Sequence, residues 1–300
     1  MLTVGIFSGL LLGQFVDLGG ILNPVIISGL FILILISMMK INLFEFAKDF
    51  RRAKFISLLA VNKLLILPLV AFLLGQFLPP EYLPGLILMS AVPAAMATPA
   101  LLILLKGDPK VGLAVSILTN LLVPFSMPLV FKYTIGTEID FDLFSMFSFL
   151  FAMVFGPFVL ALILEYFTPK LCKKVIKHAS GIISIDIFIF TMVAVAPYSK
   201  AIVANPTAAL ISFAVVVGTS LFFHLFAALP YIKAKREDMV ASIIVMAYAN
   251  TGLGIVIAIQ YFDTTTVLLT VLYEVVWSMG MIPMQMFFAK KGAEGYNLPD

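Results

Sequence analysis

Residues 83–105 make an apolar run of membrane-spanning length, and its middle, residues 90–100, reads S-A-V-P-A-A-M-A-T-P-A. Pro93 and Pro99 each lack a backbone N–H and crowd the preceding turn, so a helix entering at Leu83 is expected to lose its hydrogen-bond ladder near Pro93. In hydrocarbon every backbone group freed in this way costs several kcal/mol. A broken helix is therefore tolerated only where protein packs around it or where it lines a watery cavity. Secondary transporters place their substrate and ion sites at such breaks. A second interruption, N-T-G-L-G at 250–254, falls inside another spanning-length run.

Composition decides the class. Apolar residues make up 62% of the chain and charged residues 12%, with a mean hydropathy of +1.13. Soluble domains carry about 25% charged residues. The expected fold is an all-α integral membrane protein with ten transmembrane helices. Spans of about 20 residues leave only short loops and no room for a soluble domain. The runs fall at 2–16, 24–39, 56–78, 83–105 and 111–132, then at 143–166, 180–199, 207–232, 239–262 and 266–289. The first has no basic stretch before it and no small-residue cleavage site after it, so it reads as a retained span. Cys172 is the sole cysteine, which excludes an internal disulfide, and it reads as inert. The net charge of +3 does not point to nucleic acid, because the basic residues are juxtamembrane.

Those basic residues orient the chain. Lys40, Lys48, Arg51, Arg52 and Lys54 follow the second run; Lys106 and Lys110 follow the fourth; and Lys170, Lys173, Lys174 and Lys177 follow the sixth. Lys233, Lys235 and Arg236 follow the eighth, and Lys290 and Lys291 the tenth. The alternate loops hold only Lys132 and Lys200. The positive-inside rule then makes both termini cytoplasmic, with a prokaryotic-type inner membrane as the expected location. Five spans in each half mean that the second half enters from the opposite side. The expected repeats, 1–135 and 140–300, are therefore inverted, and each places its break in its fourth span, near the bilayer midplane.

With these motifs in place, the chain resembles the bile acid:sodium symporter family. The run P-A-A-M-A-T-P-A-L-L-I-L-L-K-G-D (93–108) resembles that family's P-G-G-x-A-S-N run and the basic-Gly-Asp/Asn turn after it. A-N-T-G-L (249–253) resembles the Q-N-S-G-L of its other broken helix. The resemblance implies a core of spans three to five and eight to ten, in which the two broken helices cross. A panel of spans one, two, six and seven faces it, with substrate in the cleft between. Auxin-efflux-type carriers share this plan but carry the signatures in reverse order.

Departures from the family pattern bear on coupling. In sodium-coupled members the ligands include a Ser-Asn pair in the fourth span, a Glu and a Gln before the Asn of the ninth, and a Gln five residues before a proline in the third. The matching positions here are Thr98 and Pro99, then Val245 and Ala249, then Lys63 before Pro68. Sodium takes oxygen ligands, and most of these are gone. Thr98, Ser116 and Asn250 keep a few.

Lys63 is the sharpest single feature, since a lysine in a span costs at least about 2.5–3.5 kcal/mol to insert and marks a pathway. Asp186, at a similar depth in the seventh span, is its expected partner and a gate between core and panel; Glu274 in the tenth span, nearer the opposite face, is the alternative partner and would make a static pair. Asn250 and Thr251 open a half-helix whose free N–H groups attract anions. His224 reads as a core histidine rather than a proton carrier.

The expected function is a secondary active transporter of a small organic anion or amphipathic carboxylate, with Lys63, Thr98, Pro99, Ser116, Asn250 and Thr251 at the site. No metal or cofactor is expected. Lys63 is expected to stand in for sodium: release of its proton would make H+ the coupling ion, in preference to sodium, whereas a lysine that stays paired would leave a uniporter or exchanger. A sodium-coupled symporter, an auxin-efflux-like carrier, a channel and an integral membrane enzyme are the alternatives, although His178, His224 and Cys172 make no catalytic or metal cluster for an enzyme.

Overall fold

The structure, a computed structural model, describes residues 2–16, 18–40, 52–136 and 142–292. Lys48, Arg51 and the boundary near 140 between the expected repeats lie outside the described residues. Apart from one antiparallel bridge, the described residues form helices and connecting turns. Among the described residues, seven helices are long and apolar enough to cross a membrane, and Val4–Phe15 and Thr251–Tyr261 are shorter apolar helices.

In chain order the helices are α1 (Leu2–Phe15), α2 (Gly19–Met39) and α3 (Ala53–Gly75). Two half-length helices follow, α4 (Leu83–Ala91) and α5 (Thr98–Leu104), and then the long α6 (Pro109–Thr134). The second half holds α7 (Leu143–Phe167), α8 (Pro169–Val195) and α9 (Pro206–Ala228). It closes with the half-length α10 (Arg236–Ala247) and α11 (Thr251–Tyr261), then α12 (Thr264–Gly292).

Local sequence sets these boundaries. Asp108 accepts from the N–H groups of Lys110 (3.0 Å) and Val111 (3.4 Å), and Pro109 fills the first position of α6. Asp142 caps α7 through Phe144 (3.0 Å) and Ser145 (3.2 Å), and Asn205 caps α9 through Ala208 (3.1 Å). Each such cap contributes about 1 kcal/mol. The seventh run begins earlier than expected, at Pro169 rather than at 180. Its lysines belong to the helix rather than to a loop. Pro169 suits a first helical turn, and the Lys-rich turns expose their charges while Cys172 and Ala179 are buried.

α1, the span with the weakest sequence signal, is held by close packing. Gly5 and Gly9 face α8, Gly13 faces Ala196 and Ser199 just beyond its end, and a Cβ on Gly9 would lie 2.5 Å from the Met192 carbonyl oxygen. Small residues at this spacing let helix backbones approach closely in a membrane. α2 packs on α7 and α8, completing this group. The other helices pack around the two breaks, with α12 against α4, α9 and α11. At one end of the helices Arg52 pairs with Asp108 (3.5 Å) and with Asp238. Arg236 donates to the carbonyls of Leu105 (3.3 Å) and Phe288 (2.8 Å), so α3, α5, α10 and α12 are tied together there.

Candidate functional site

α4 stops at Ala91, and Val92 is extended. Helix resumes at Thr98, one residue before Pro99, so the break is shorter than 93–99. Pro99 opens α5 rather than interrupting it, because a proline in the first turn gives up no intrahelical hydrogen bond. The second break is also shifted. α10 stops at Ala247, Tyr248 is extended, and Asn250 caps α11 by accepting from Leu253 N–H (3.3 Å). Gly252 and Gly254 are therefore helical, because the Asn250 cap satisfies a donor that an uncapped helix start leaves bare.

The two breaks meet. Asn250 N–H donates to the Pro93 carbonyl (2.8 Å) and Ala95 N–H to the Tyr248 carbonyl (3.0 Å), which makes the Ala94–Ala249 bridge. One face of α6, with Thr98 of α5, satisfies groups of Ala94 and Ala95 in the first break. Thr119 Oγ1 accepts from Ala94 N–H (3.2 Å), and Asn120 Nδ2 donates to the Ala94 carbonyl (3.0 Å). The Ala95 carbonyl accepts from Ser116 (3.0 Å) and from Thr98 (2.6 Å). Asn250 Nδ2 donates to Asn120 Oδ1 (3.1 Å), closing a buried network across both breaks. Networks of this kind hold irregular backbone only if every member is paired.

Lys63 lies on α3 in a π-helical turn, Asn62–Ile66, just before Pro68. Proline cannot donate to the carbonyl four residues back, and the turn opens to a five-residue bond from Leu67 N–H to Asn62. The side chain is fully buried, and its Nζ donates to the Met246 carbonyl (3.2 Å). Met246 is in the last turn of α10, where carbonyls lose their helical partners and carry the negative end of the helix dipole. The neighbouring Ala247 carbonyl accepts from the Tyr273 hydroxyl (2.7 Å).

The expected ion pairs of Lys63 are not formed in this conformation, because the ammonium is directed at a carbonyl of α10 instead. Among the described residues no carboxylate lies within 4.0 Å of it. Asp186 sits on α8 against α2, close enough that a Cβ on Gly29 would come within 3.2 Å of its Oδ1. Asp186 Oδ2 is buried without a hydrogen-bond partner. Glu274 accepts from the Trp277 indole N–H (3.3 Å), which also reaches Thr251 Oγ1 (3.4 Å). His224 has core partners, the Ser220 carbonyl (2.7 Å) and the Tyr248 hydroxyl (3.4 Å).

Beside the junction lies a cavity of about 350 Å³, lined by both breaks, the first turn of α11, Ser184, Ile187 and Thr191 of α8, and Glu274 and Trp277 of α12. Asn250 and Thr251 thus face a cavity, whereas Thr98 and Ser116 support its wall from behind, and Lys63 is absent from the lining. Sequence reasoning missed Thr119, Asn120 and Trp277. Ser116, Thr119 and Asn120 stand at i, i+3 and i+4 on an apolar helix, a pattern that marks one polar face.

Long apolar helices, with two pairs of half-length helices joined beside a largely apolar cavity that carries Asn250, Thr251 and Glu274, suit a membrane carrier. Residues 27–206 match the Sodium Bile acid symporter family, and the chain belongs to that family. It is similar to the uncharacterized sodium-dependent transporter YocS of Bacillus subtilis (strain 168), with 25% identity over 230 residues, 75% of this chain and 71% of that protein. The chain is accordingly a membrane transporter.

Proposed function

We propose that the chain is a secondary active transporter working by alternating access, built as two inverted five-helix repeats over 1–135 and 140–300. Spans three to five and eight to ten form a core that carries both breaks, and spans one, two, six and seven form a panel that moves against it. A small organic carboxylate binds in the cavity, where the first turn of α11 presents its positive end beside Asn250 and Thr251. Both termini face the cytoplasm. The junction carries this reading. Two mid-helix breaks bridged at Ala94 and Ala249, with a cavity alongside, suit a carrier, whereas a channel needs no such pair.

Lys63 takes a role that sodium has in relatives. The reading is supported by the bond from Nζ to the Met246 carbonyl and by Val245 and Ala249 standing where relatives supply a Glu and a Gln. An ammonium balances the carbonyl end of α10 without a ring of oxygen ligands. Transport is then driven by the proton gradient or by exchange. Uptake of taurocholate and of short carboxylates into proteoliposomes, in sodium or choline and with or without a pH gradient, tests this. Sodium-independent uptake that is lost in Lys63→Gln is expected, and strict dependence on a sodium gradient contradicts it.

A further inference from the structure

We infer that the cargo of this cavity carries a cationic nitrogen together with its carboxylate, so that it is a small zwitterion whose ammonium-type group pairs with Glu274. The inference rests on the reading that this cavity is the transport site. Glu274 is the one carboxylate among the lining residues, and no lysine, arginine or histidine lines the cavity with it. The cation expected to face the substrate, Lys63, is bonded to Met246 instead. Among the described residues, Glu274 has no basic side chain within 4.0 Å, and its partner is the Trp277 N–H.

A carboxylate within the bilayer is costly to keep and is retained where it serves a pathway. One hydrogen bond from an indole and the nearby start of α11 offset only part of that cost. An ionised Glu274 repels a plain carboxylate substrate, and juxtaposed like charges cost several kcal/mol. A substrate that brings its own cation turns the repulsion into a pair. Position agrees with charge. Glu274 and Thr251 accept from the same indole N–H at 3.3 and 3.4 Å, so the carboxylate stands beside the helix start that favours an anion. The two complementary ends of the site are thus a few ångströms apart, as they are in a short amino acid or betaine. A volume of about 350 Å³ lies at the small end of ligand pockets and fits cargo of this size. The Trp277 ring beside the carboxylate adds a surface that attracts ammonium groups.

Trp277 also supplies the assay, because it is the only tryptophan of the chain. Purified full-length protein is titrated with glycine, β-alanine, γ-aminobutyrate, 6-aminohexanoate and carnitine, each against the acid lacking the nitrogen, while indole fluorescence is followed. At least one zwitterion is expected to saturate the signal at a concentration at least about tenfold below its matched acid, the size of a charge-assisted hydrogen bond. Glu274→Gln, which keeps an acceptor for the indole, is expected to remove that preference while the elution profile stays that of the wild type. Glu274→Asp is expected to keep part of it, which a merely structural carboxylate would not do. Equal or tighter binding of the acids, a preference surviving in Glu274→Gln, no response to any member of either series, or sodium chloride alone reproducing the change would each overturn the inference. Proteoliposome uptake separates the two levels. Zwitterion binding without uptake contradicts the transport reading, whereas uptake of the acids without a zwitterion preference contradicts this inference alone.

Discussion

The Lys63 ammonium donates to the Met246 carbonyl oxygen at 3.2 Å, a contact between residues 183 positions apart. It places the Lys63 amino group at the end of α10 where the helix gives up its own hydrogen bonds. The nearby Tyr273 hydroxyl does the same for the Ala247 carbonyl without charge. The α10 terminus is therefore capped from two other helices, one cap being a lysine and the other a tyrosine.

Two opposing terms decide what loss of this cation does to stability. Lys63→Met leaves the Met246 carbonyl unpaired, at about 1–3 kcal/mol. It also removes a buried charge that costs at least about 2.5–3.5 kcal/mol to place in a span. The second term equals or exceeds the first, so the variant is expected to melt at or above the wild-type midpoint while losing transport. A large fall in the melting midpoint would show that the ammonium is needed for the fold instead.

The bond between Asn250 Nδ2 and Asn120 Oδ1 couples the second break to α6. Asn250→Ala also removes the cap on Leu253 N–H, at about 1 kcal/mol. A double-mutant cycle of Asn250→Ala and Asn120→Ala, read by thermal melting, is expected to give a coupling above about 0.5 kcal/mol. Asn250→Leu is expected to abolish uptake at normal expression. Additive effects in the cycle would mean that the two amides act independently.

Where helices stop was only partly legible in the sequence. Pro93 and Asn250 marked the two breaks, because a missing N–H and a capping amide act locally. The extent of each break was not legible. Pro99 and Gly252 look like breakers in a string of letters, yet each sits in the first turn of a new helix, where neither disrupts bonding. Lys63 stood out by its charge in an apolar span, but its partner is a backbone carbonyl. A carbonyl is the same at every position, so only folding picks out Met246. Asp186 and Glu274 were visible as intramembrane carboxylates; which of them faces a cavity depends on how α8 and α12 are rotated.

The glycine spacing of α1 was legible in principle and yields a separate test. A side chain at Gly9 would meet the Met192 carbonyl carbon and oxygen, which are backbone and cannot turn aside. Gly9→Val is expected to cost about 1–3 kcal/mol by overpacking, lowering the melting midpoint, while Gly181→Val, with open space around it, is expected to have little effect. Equal behaviour of the two variants would contradict the close approach of α1 to α8.

Sodium dependence of thermal stability tests the replacement of a bound cation by Lys63 most directly, since it requires no knowledge of the cargo. A ligand at 100 times its dissociation constant stabilises a folded protein by about 2.7 kcal/mol, a shift that melting resolves. Wild-type protein melted in sodium chloride and in choline chloride of equal ionic strength is predicted to give coincident midpoints. The triple variant Lys63→Gln, Val245→Glu and Ala249→Gln, which introduces three of the side chains of the family pattern, is predicted to gain a sodium-dependent rise. A saturable sodium-specific rise in the wild-type midpoint would contradict the account.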